Sequence, residues 1–436
     1  MNGAAIILGA DLKGKPKADA WVVGLVAALF AACADTPPPL TLPDLSIGEP
    51  AFMTTMQAFS GAPISGDNRV DILLNGQETF PALLEAVRSA QKTVTFETYI
   101  FREGAIADDL VGAFVDRCRA GVRVSILLDA HGAADVPARD VRRLREAGCA
   151  IVPDFRPLRI WDFERSNNRN HRRILVADGR VGITGGYGID DAWDGDGRTK
   201  GQWRETNVRI EGPVVHDLQA AFLEHWREAT GVLLGGADYF AYPPVEVRDR
   251  PVRAQVVRSS PMKDDYAIHR MFLQAIRAAR KTVYISTPYL FPGDQLTAAL
   301  LEAVRRGVDV RILVPSVVRS SGVEFITQAS QRIGFAPLLE GGVLLNEYEP
   351  ALLHTKTMVI DGRWATVGST NFDNRSMAMN DELNLCVYDE RIARELEEVF
   401  LDDLRHSRPV TRDRLEERPL LGRLLGWLTS PLHDYF

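Results

Sequence analysis

The sequence predicts an α/β protein built from two duplicated domains. At 436 residues the chain is long enough for two domains that each bury a core of their own. Amphipathic helical segments alternate with short apolar strands, a pattern typical of sheets covered by helices. The same order of segments occurs twice, with equivalent residues 189, 186 and 183 positions apart at Lys92 and Lys281, Gly121 and Gly307, and His171 and His354. A repeat of this length indicates duplicated domains rather than a solenoid.

The composition is that of a globular protein. Hydrophobic residues make up 46% and charged residues 25% of the chain. The formal net charge of −7 argues against a nucleic-acid binder, because such proteins usually carry a basic excess. The cysteines lack metal-ligand spacing and are too few for a disulfide framework. We therefore expect no metal site and no cofactor, and we expect Cys118, Cys149 and Cys386 to be small core residues.

Residues 1–52 are expected to lie outside the catalytic fold. Three lysines precede an apolar run, Ala18–Ala32, which is followed by Cys33 and a proline-rich linker. The run is short for a transmembrane helix and closer in length to the apolar core of a signal peptide. Two interpretations stay open: an exported lipoprotein modified at Cys33, and a start assigned too far upstream of Met53.

The first domain is assigned to residues 53–235, with regular alternation from Val70 onward. Periodicity predicts helices at Phe80–Ala90 and Asp108–Arg119 and a closing helix within Glu211–Ala229. β-branched runs predict strands at Thr93–Phe101 and Val122–Asp129. This alternation predicts a largely parallel sheet with helices on its faces.

A linker, residues 236–252, leads to the second domain, residues 253–410. The same order of elements is predicted there at Tyr266–Arg280, Lys281–Phe291, Gln295–Arg306, Gly307–Val314 and Glu390–Arg405. The tail, residues 411–436, contains the apolar stretch Leu420–Leu428 with few cations. Its pattern fits equally a helix lying on a membrane surface and a terminal helix packed on its own domain.

The second domain contains a hairpin that gathers chemically active side chains. A strand beginning at His354 runs into an Asp-Gly turn at Asp361, and a second strand returns from it. Residues two apart on a strand share a face, so His354 and Lys356 are expected to point the same way. The return strand leads into Gly368-Ser369-Thr370-Asn371. An imidazole can attack phosphorus or shuttle a proton, while the other groups can donate hydrogen bonds to phosphate oxygens.

The first domain carries the same motif with two changes. The equivalent positions are His171, Arg173, Asp178, Gly185, Gly186 and Gly188. Arginine replaces the lysine at the second position, and glycine replaces the asparagine at the last. A histidine or a lysine alone would be a chance feature of a strand pair, but two copies at matching offsets indicate a functional site.

Together the two motifs resemble the signature of the phospholipase D superfamily, H-x-K-x-x-x-x-D followed by G-[GS]-x-N. Longer stretches resemble bacterial cardiolipin synthases, namely Glu97–Phe101, Trp203–Pro213, Asn346–Lys356, Val367–Ser376 and Asn380–Leu385. The resemblance covers most of the chain. It implies two duplicated phospholipase D-like α/β domains, packed about a pseudo-twofold axis around one shared active site.

The resemblance also implies a covalent reaction at that shared site that needs no metal. Of His171 and His354, one attacks phosphorus to form a phosphohistidine, and the other protonates the leaving oxygen. Arg173 and Lys356 stabilise the negative charge of the transition state.

Other residues of the motifs are expected to support these groups. Each histidine needs an acid to fix its tautomer, and Glu205 and Glu382 occupy the family position for it. The small residues and the amide that complete the site are Gly185, Gly186, Ser369 and Asn371. Asp178 and Asp361 belong to the catalytic motif but are expected to act structurally, because Asp-Gly turns form for local reasons.

The implied activity is transfer of a phosphatidyl group between two phosphatidylglycerol molecules, which gives cardiolipin and glycerol. Capture of the intermediate by water would make the protein a phospholipase D, and the changes in the first motif also allow an inactive membrane-binding scaffold. The expected partners are the phospholipid substrate and a membrane surface, without nucleic acid or an obligate protein partner. The expected location is the bacterial cell membrane, with peripheral or lipid-anchored attachment through the N-terminal segment.

Overall fold

The computed structural model describes residues 40–157, 167–241, 249–261, 265–316 and 334–416. The apolar run before Cys33 and the apolar stretch Leu420–Leu428 both lie outside these described residues. Within the described ranges, none of the helices combines the length and the apolar character that a membrane span requires.

The first domain begins after a helix, α1 (Pro50–Ser60), and contains the helices and strands expected for this half. Its elements are β1 (Ser65–Leu74), α2 (Asn75–Ser89), β2 (Thr93–Thr98), α3 (Ala105–Arg119), β3 (Arg123–Asp129), α4 (Ala138–Glu146), β4 (Ala150–Phe155), β5 (Ile174–Ala177), β6 (Val181–Gly185), β7 (Trp203–Arg204), β8 (Thr206–Glu211) and α5 (Val214–Thr230). A short 3-10 turn, Asp191–Trp193, lies between β6 and β7.

The second domain repeats this order. Its elements are β9 (Val252–Ser259), α6 (Ala267–Ala278), β10 (Thr282–Ser286), β11 (Leu290–Phe291), α7 (Gly293–Arg305), β12 (Asp309–Pro315), α8 (Phe335–Glu340), β13 (Leu344–Tyr348), β14 (Leu352–Leu353), β15 (Thr357–Ile360), β16 (Trp364–Gly368), β17 (Phe372–Asp373), α9 (Asn374–Ala378), β18 (Glu382–Val387), α10 (Glu390–Arg405) and β19 (Ser407–Pro409). A last helix, α11 (Arg412–Glu416), follows.

Fifteen strands of the described chain form one sheet that runs through both domains. Its order is β19-β13-β12-β10-β15-β16-β18-β9-β1-β8-β6-β5-β2-β3-β4. The first strands of the two domains, β1 and β9, pair antiparallel at the centre, and equivalent strands follow on either side. The predicted duplication is therefore confirmed, with an approximate twofold axis between β1 and β9.

The prediction of a largely parallel sheet is wrong. Among the described strands of the main sheet, parallel pairing occurs only within β2–β3–β4 and within β10–β12–β13. The motif hairpins explain the difference, because β5–β6 and β15–β16 insert antiparallel pairs beside β2 and β10.

Helices cover the sheet through apolar faces that the sequence encodes. Helix α2 buries Phe80, Leu83 and Val87, which lie three or four residues apart and so share one face. The closing helices α5 and α10 contribute to a single core, in which Phe222 and Leu396 pack with residues of β9 and β18. The two domains therefore share a hydrophobic core at the centre of the sheet.

Residues 40–60 pack against the second domain, which differs from the expected boundary. Leu42, Phe52 and Met56 are buried in the core of that domain, where α1 contacts α6. Arg280 also donates a hydrogen bond to Asp44. Part of the segment expected to be a linker is thus folded, because its apolar side chains complete a core.

Cys118 and Cys149 form a disulfide between the end of α3 and the start of β4. The expectation that both are simple core residues is therefore wrong. The pairing follows from the fold, since the turn after α3 and the turn after α4 lie at the same edge of the sheet and bring the two Cα atoms to 5.6 Å. Cys386 is buried and free, as expected.

Candidate active site

Both motif hairpins are built around an Asp-Gly turn of the same geometry. Asp178 and Asp361 each have a φ of 54° and accept hydrogen bonds from three consecutive backbone N–H groups. Asp178 binds residues 91–93 at 2.7 to 2.9 Å, and Asp361 binds residues 280–282 at 2.8 to 2.9 Å. Both carboxylates thus fix the chain before β2 or β10 to the hairpin, the structural role expected from the sequence.

Each motif histidine is hydrogen-bonded to a glutamate of the other domain. His171 Nδ1 lies 2.8 Å from Glu382 Oε1, and His354 Nδ1 lies 2.5 Å from Glu205 Oε2. All four side chains are buried. The sequence indicates which glutamates serve the site but not that the domains exchange them, because that exchange follows from the packing about the twofold axis.

Backbone hydrogen bonds hold the two crossed pairs in register. The N–H of His171 donates to the carbonyl of Asp381 at 2.9 Å, and the N–H of His354 donates to the carbonyl of Arg204 at 2.8 Å. Each carbonyl belongs to the residue directly before the glutamate of the pair. A histidine and its glutamate are therefore fixed through neighbouring residues of the same two segments.

Arg173 shares two contacts to its histidine with Lys356, which also lies 2.8 Å from Nδ1 of its own histidine. Arg173 Nη2 lies 2.9 Å from His171 Nε2, and Lys356 Nζ lies 3.0 Å from His354 Nε2. Each cation also donates to the backbone carbonyl of the same histidine. The arginine therefore occupies the place of the lysine.

In the part of the chain that the structure describes, no group of three or more His, Cys, Asp or Glu side chains is arranged to hold a metal ion.

The glycine that follows each hairpin lies against an asparagine of the next strand. A Cβ at Gly185 would lie 2.2 Å from Asn207 Oδ1, and a Cβ at Gly368 would lie 2.4 Å from Asn384 Oδ1. Asn207 Oδ1 also accepts the N–H of Gly186 at 3.0 Å, which fixes this loop. A side chain at either glycine would displace the asparagine, so the contact requires glycine in both copies.

The next motif position distinguishes the two halves. A Cβ at Gly186 would lie 2.6 Å from Glu205 Oε1, so the glycine makes room for that carboxylate. Ser369, the equivalent residue, instead donates its hydroxyl proton to Glu382. Glu205 receives a hydrogen bond from Trp193 Nε1 at 3.3 Å. The two glutamates therefore have different partners.

Aromatic side chains that the sequence analysis missed pack against both histidines. Trp193 meets His354 edge-on with ring centroids 5.2 Å apart, and the Trp203 centroid lies at 4.9 Å. Tyr99 packs against His171 at 5.1 Å. Trp203 and Tyr99 stand in segments that resemble cardiolipin synthases, so that resemblance was the available signal. Trp193 lies in the short 3-10 turn, which carries no motif.

The substitution at Gly188 is explained by Trp193. A Cβ at Gly188 would lie 2.9 Å from Cη2 of the indole ring. The first domain thus has an indole ring where the second has the amide of Asn371. Asn371 is buried, and its backbone N–H donates to Ser376 Oγ at 3.3 Å.

Burial and nearby cations lower the pKa values of both histidines. Burial and the charge of Lys356 lower the pKa of His354 to about 4. Burial and Arg173 lower the pKa of His171 well below its usual value, and the charge of His354 adds to this effect. The crossed glutamate contacts place both histidines at the junction of the two domains. Burial also lowers the pKa of Lys356 to about 7.

The two glutamates differ in charge. Burial raises the pKa of Glu382 to about 8, so this carboxyl group holds a proton at neutral pH. Burial acts in the same direction on Glu205, but Lys356 and His354 outweigh it and leave the pKa of Glu205 below its usual value. The site therefore contains one neutral and one ionised carboxyl group.

Comparison with known proteins identifies the family. A family model described as "Cardiolipin synthase, PLD-like domain" matches residues 83–226 and 272–404. The two matches fall on the two domains of the sheet and contain both motif hairpins. The chain belongs to this family. The crossed pairs of His171 with Glu382 and of His354 with Glu205 therefore lie in a cardiolipin synthase-type, PLD-like fold.

Cardiolipin synthases from two bacteria illustrate the similarity. That of Geobacillus kaustophilus (strain HTA426) is 34% identical over 374 residues, which cover 85% of this chain and 73% of that protein. Cardiolipin synthase 1 of Bacillus anthracis is 32% identical over 386 residues, which cover 86% and 75%. The crystal structure of phosphatidylserine synthase from Haemophilus influenzae Rd KW20 matches with a TM-score of 0.63 and 14% identity, over 88% of this chain and 98% of that chain. At that identity the match shows a shared fold.

Proposed function

We propose that this protein transfers a phosphatidyl group from one phosphatidylglycerol to a hydroxyl of another and so forms cardiolipin and glycerol. The crossed pairing of two histidines with two glutamates at one site carries the proposal. That arrangement supplies a nucleophile and a separate proton donor for exchange at phosphorus. The names of its relatives support the choice of lipid substrate.

The first displacement forms the covalent intermediate. Nε2 of one histidine attacks phosphorus, a P–N bond forms, and the P–O bond to glycerol breaks. The other histidine gives a proton to the leaving alkoxide. Because Glu382 holds a proton and Glu205 does not, the His171–Glu382 pair contains one proton more than the other pair. We therefore assign His171 as the acid and His354 as the nucleophile.

The second displacement releases the product. A hydroxyl of a second phosphatidylglycerol gives its proton to His171 and attacks phosphorus, which breaks the P–N bond and frees His354. Water in place of that hydroxyl would yield phosphatidic acid. The excess of acceptor lipid at a membrane surface favours transfer.

Arg173 and Lys356 stabilise the charge on the phosphate oxygens in both steps. Each lies against the Nε2 atom of its own histidine, next to the position that phosphorus must occupy. A short movement toward a phosphate oxygen frees the ring nitrogen for reaction. Because Arg173 keeps the contacts of a lysine, we favour an active enzyme over an inactive scaffold.

The proposed location is outside the cytoplasm, with the protein attached to the membrane through its N-terminal segment. The disulfide between Cys118 and Cys149 supports this location, because disulfides persist mainly in oxidising compartments. The apolar run that ends at Cys33 agrees with export and lipid attachment.

Purified protein incubated with phosphatidylglycerol vesicles, without added metal, tests the activity. We expect mass spectrometry to show cardiolipin and glycerol, and we expect a loss of about a thousandfold or more in His354→Ala and His171→Ala. His269→Ala is the matched control, because His269 is buried on α6 and lies outside the two motifs. An alkaline quench followed by peptide mapping should locate the phosphoryl group on His354.

Each other outcome has a definite meaning. Phosphatidic acid as the main product would replace the synthase with a hydrolase. Vesicle binding without turnover would support the scaffold. A phosphorylated His171 peptide would reverse the assignment of acid and nucleophile.

A further inference from the structure

The residue before each catalytic glutamate reaches into the other domain and meets its closing helix. In the second domain this residue is Asp381, and its Oδ2 lies 2.8 Å from Nε2 of His225 on α5. In the first domain it is Arg204, and its guanidinium binds Asp403 on α10 through two contacts of 2.9 and 3.0 Å. All four side chains are buried.

The two helix residues occupy equivalent positions in the duplicated fold. His225 lies three residues after Phe222 on α5, and Asp403 lies three residues after Phe400 on α10. Both phenylalanines are buried. The contacts are therefore related by the pseudo-twofold axis, but the basic side chain lies on the closing helix in one contact and on the glutamate segment in the other.

Both ring nitrogens of His225 contact carboxyl groups. Its Nδ1 lies 2.5 Å from Glu97 Oε1 at the end of β2, while its Nε2 faces Asp381. The imidazole therefore joins the end of β2 to the segment that precedes Glu382. Arg156 adds a cation at 2.8 Å from Asp381 and also binds Glu228. A buried cluster of this kind is stable only while its members remain paired.

We propose that His225 and Asp403 are positioning residues for the two catalytic histidine–glutamate pairs. Each binds, from the closing helix of its own domain, the residue that precedes the glutamate contributed by the other domain. This inference rests on the proposed function, because it assigns the residues a part in the same reaction.

The path from each contact to the reacting atoms is short. The carbonyl of Asp381 accepts the N–H of His171, and the next residue, Glu382, binds the imidazole of that histidine. In the other pair, the carbonyl of Arg204 accepts the N–H of His354, and Glu205 binds the imidazole of that histidine. Release of Asp381 from His225 would therefore shift the glutamate and the histidine relative to the phosphorus. Such a shift slows the chemical step while leaving lipid binding in place.

Steady-state kinetics with phosphatidylglycerol vesicles test the proposal on four variants of the full chain and two double variants. The replacements, each with a neutral polar side chain, are His225→Gln, Asp381→Asn, Asp403→Asn and Arg204→Gln. We expect each to lower kcat by about 100-fold and to change KM by less than about threefold. His269→Gln serves as the matched control, a buried histidine outside both contacts, and should keep wild-type kcat.

Double variants separate positioning from general destabilisation. His225→Gln with Asp381→Asn, and Asp403→Asn with Arg204→Gln, should each be no slower than the slower single variant, because both members act through one contact. Melting temperatures are measured on all of them. Loss of thermal stability at wild-type kcat, or a rise in KM alone, would overturn the proposal. Turnover of the wild type and its loss in His354→Ala, measured in the same series, report separately on the proposed function.

Discussion

At the scale of single residues, the two copies of one motif have diverged in how they hold protons. Ser369 donates to Glu382, whereas Gly186 leaves room for Glu205, which stays ionised beside Lys356. The motif pattern alone treats the two halves as equivalent. Their difference arises from the atoms around each carboxyl group, and the proposed assignment of His171 as acid and His354 as nucleophile rests on it.

We expect Glu382→Gln to stabilise the folded protein at neutral pH while it abolishes turnover. The pKa of Glu382 is raised from 4.5 to about 8, so the folded chain keeps a proton that the unfolded chain releases, and stability falls as pH rises through this interval. Glutamine does not ionise, so the variant does not lose this stability as pH rises. Urea denaturation at several pH values should show the variant gaining on the wild type as pH increases.

Glu205→Gln is the matched variant with the opposite expectation. The lowered pKa of Glu205 contributes stability that is present above the unfolded pKa and is lost as pH falls. Its replacement should lower the free energy of unfolding at neutral pH by about 3 kcal/mol, because it leaves buried cations unpaired. Equal losses of unfolding free energy in Glu205→Gln and Glu382→Gln would contradict the assigned charges.

The sequence predicts the residues of the site better than their partners. The histidines, the cations and the glutamates are all recognised from spacing and family resemblance, and Asp178 and Asp361 are recognised from turn chemistry. The exchange of glutamates between domains depends on how the domains pack, which local spacing does not encode. Trp193 lacks any local signal, because its position results from the room that Gly188 leaves.

At the scale of elements, the main helices and the strands β2, β3, β10 and β12 are predicted, and the pairing directions are not. Amphipathic periodicity identifies α3, α6 and α10 to within a few residues of their observed bounds, whereas α2 begins five residues before its predicted start. Strands such as β5 and β16 are short and fully buried, so they show no alternation that would reveal antiparallel neighbours. The disulfide was missed for a related reason, since it joins the last turn of α3 to the residue before β4, which only the folded sheet brings together.

Removal of the disulfide with Cys118→Ala and Cys149→Ala should lower the free energy of unfolding. The bond joins residues 31 apart, and loop-closure entropy for that length corresponds to about 3–4 kcal/mol. Denaturation of the wild type with and without reductant should show a loss of similar size. Cys386→Ala, which removes the buried free thiol but keeps the disulfide, should respond to reductant as the wild type does, whereas the double variant should not. If reductant had no effect on the wild type, the bond would not form in solution.

At the scale of the whole molecule, the two domains and the segment before them form one folded unit. The sheet crosses from β1 to β9 without interruption, and α1 contributes Phe52 and Met56 to the core of the second domain. The first residues of the fold therefore stabilise the domain that lies later in the chain. A chain beginning at Met53 would lack Leu42 and Phe52 from that core.

Phe52→Ala should destabilise the protein by about 3–5 kcal/mol, because it leaves a cavity beside α6. Hydrogen exchange followed by mass spectrometry should show that the substitution speeds exchange in α6 more than in α2. The reason is that Phe52 packs on the second domain. Thr54→Ala, an exposed neighbour on the same helix, is the control. Faster exchange confined to the first domain would contradict this placement of α1.

The opposite arrangement of the two contacts between domains also bears on whether either half could pair with a copy of itself. Two copies of the first domain would bring Arg204 against His225, two basic side chains, and two copies of the second would bring Asp381 against Asp403, two acidic side chains. Symmetric pairing repeats the same contact twice, so neither copy could supply the missing partner. Within one chain each contact has its own acid and its own base, and neither half is therefore expected to form a symmetric homodimer through these residues.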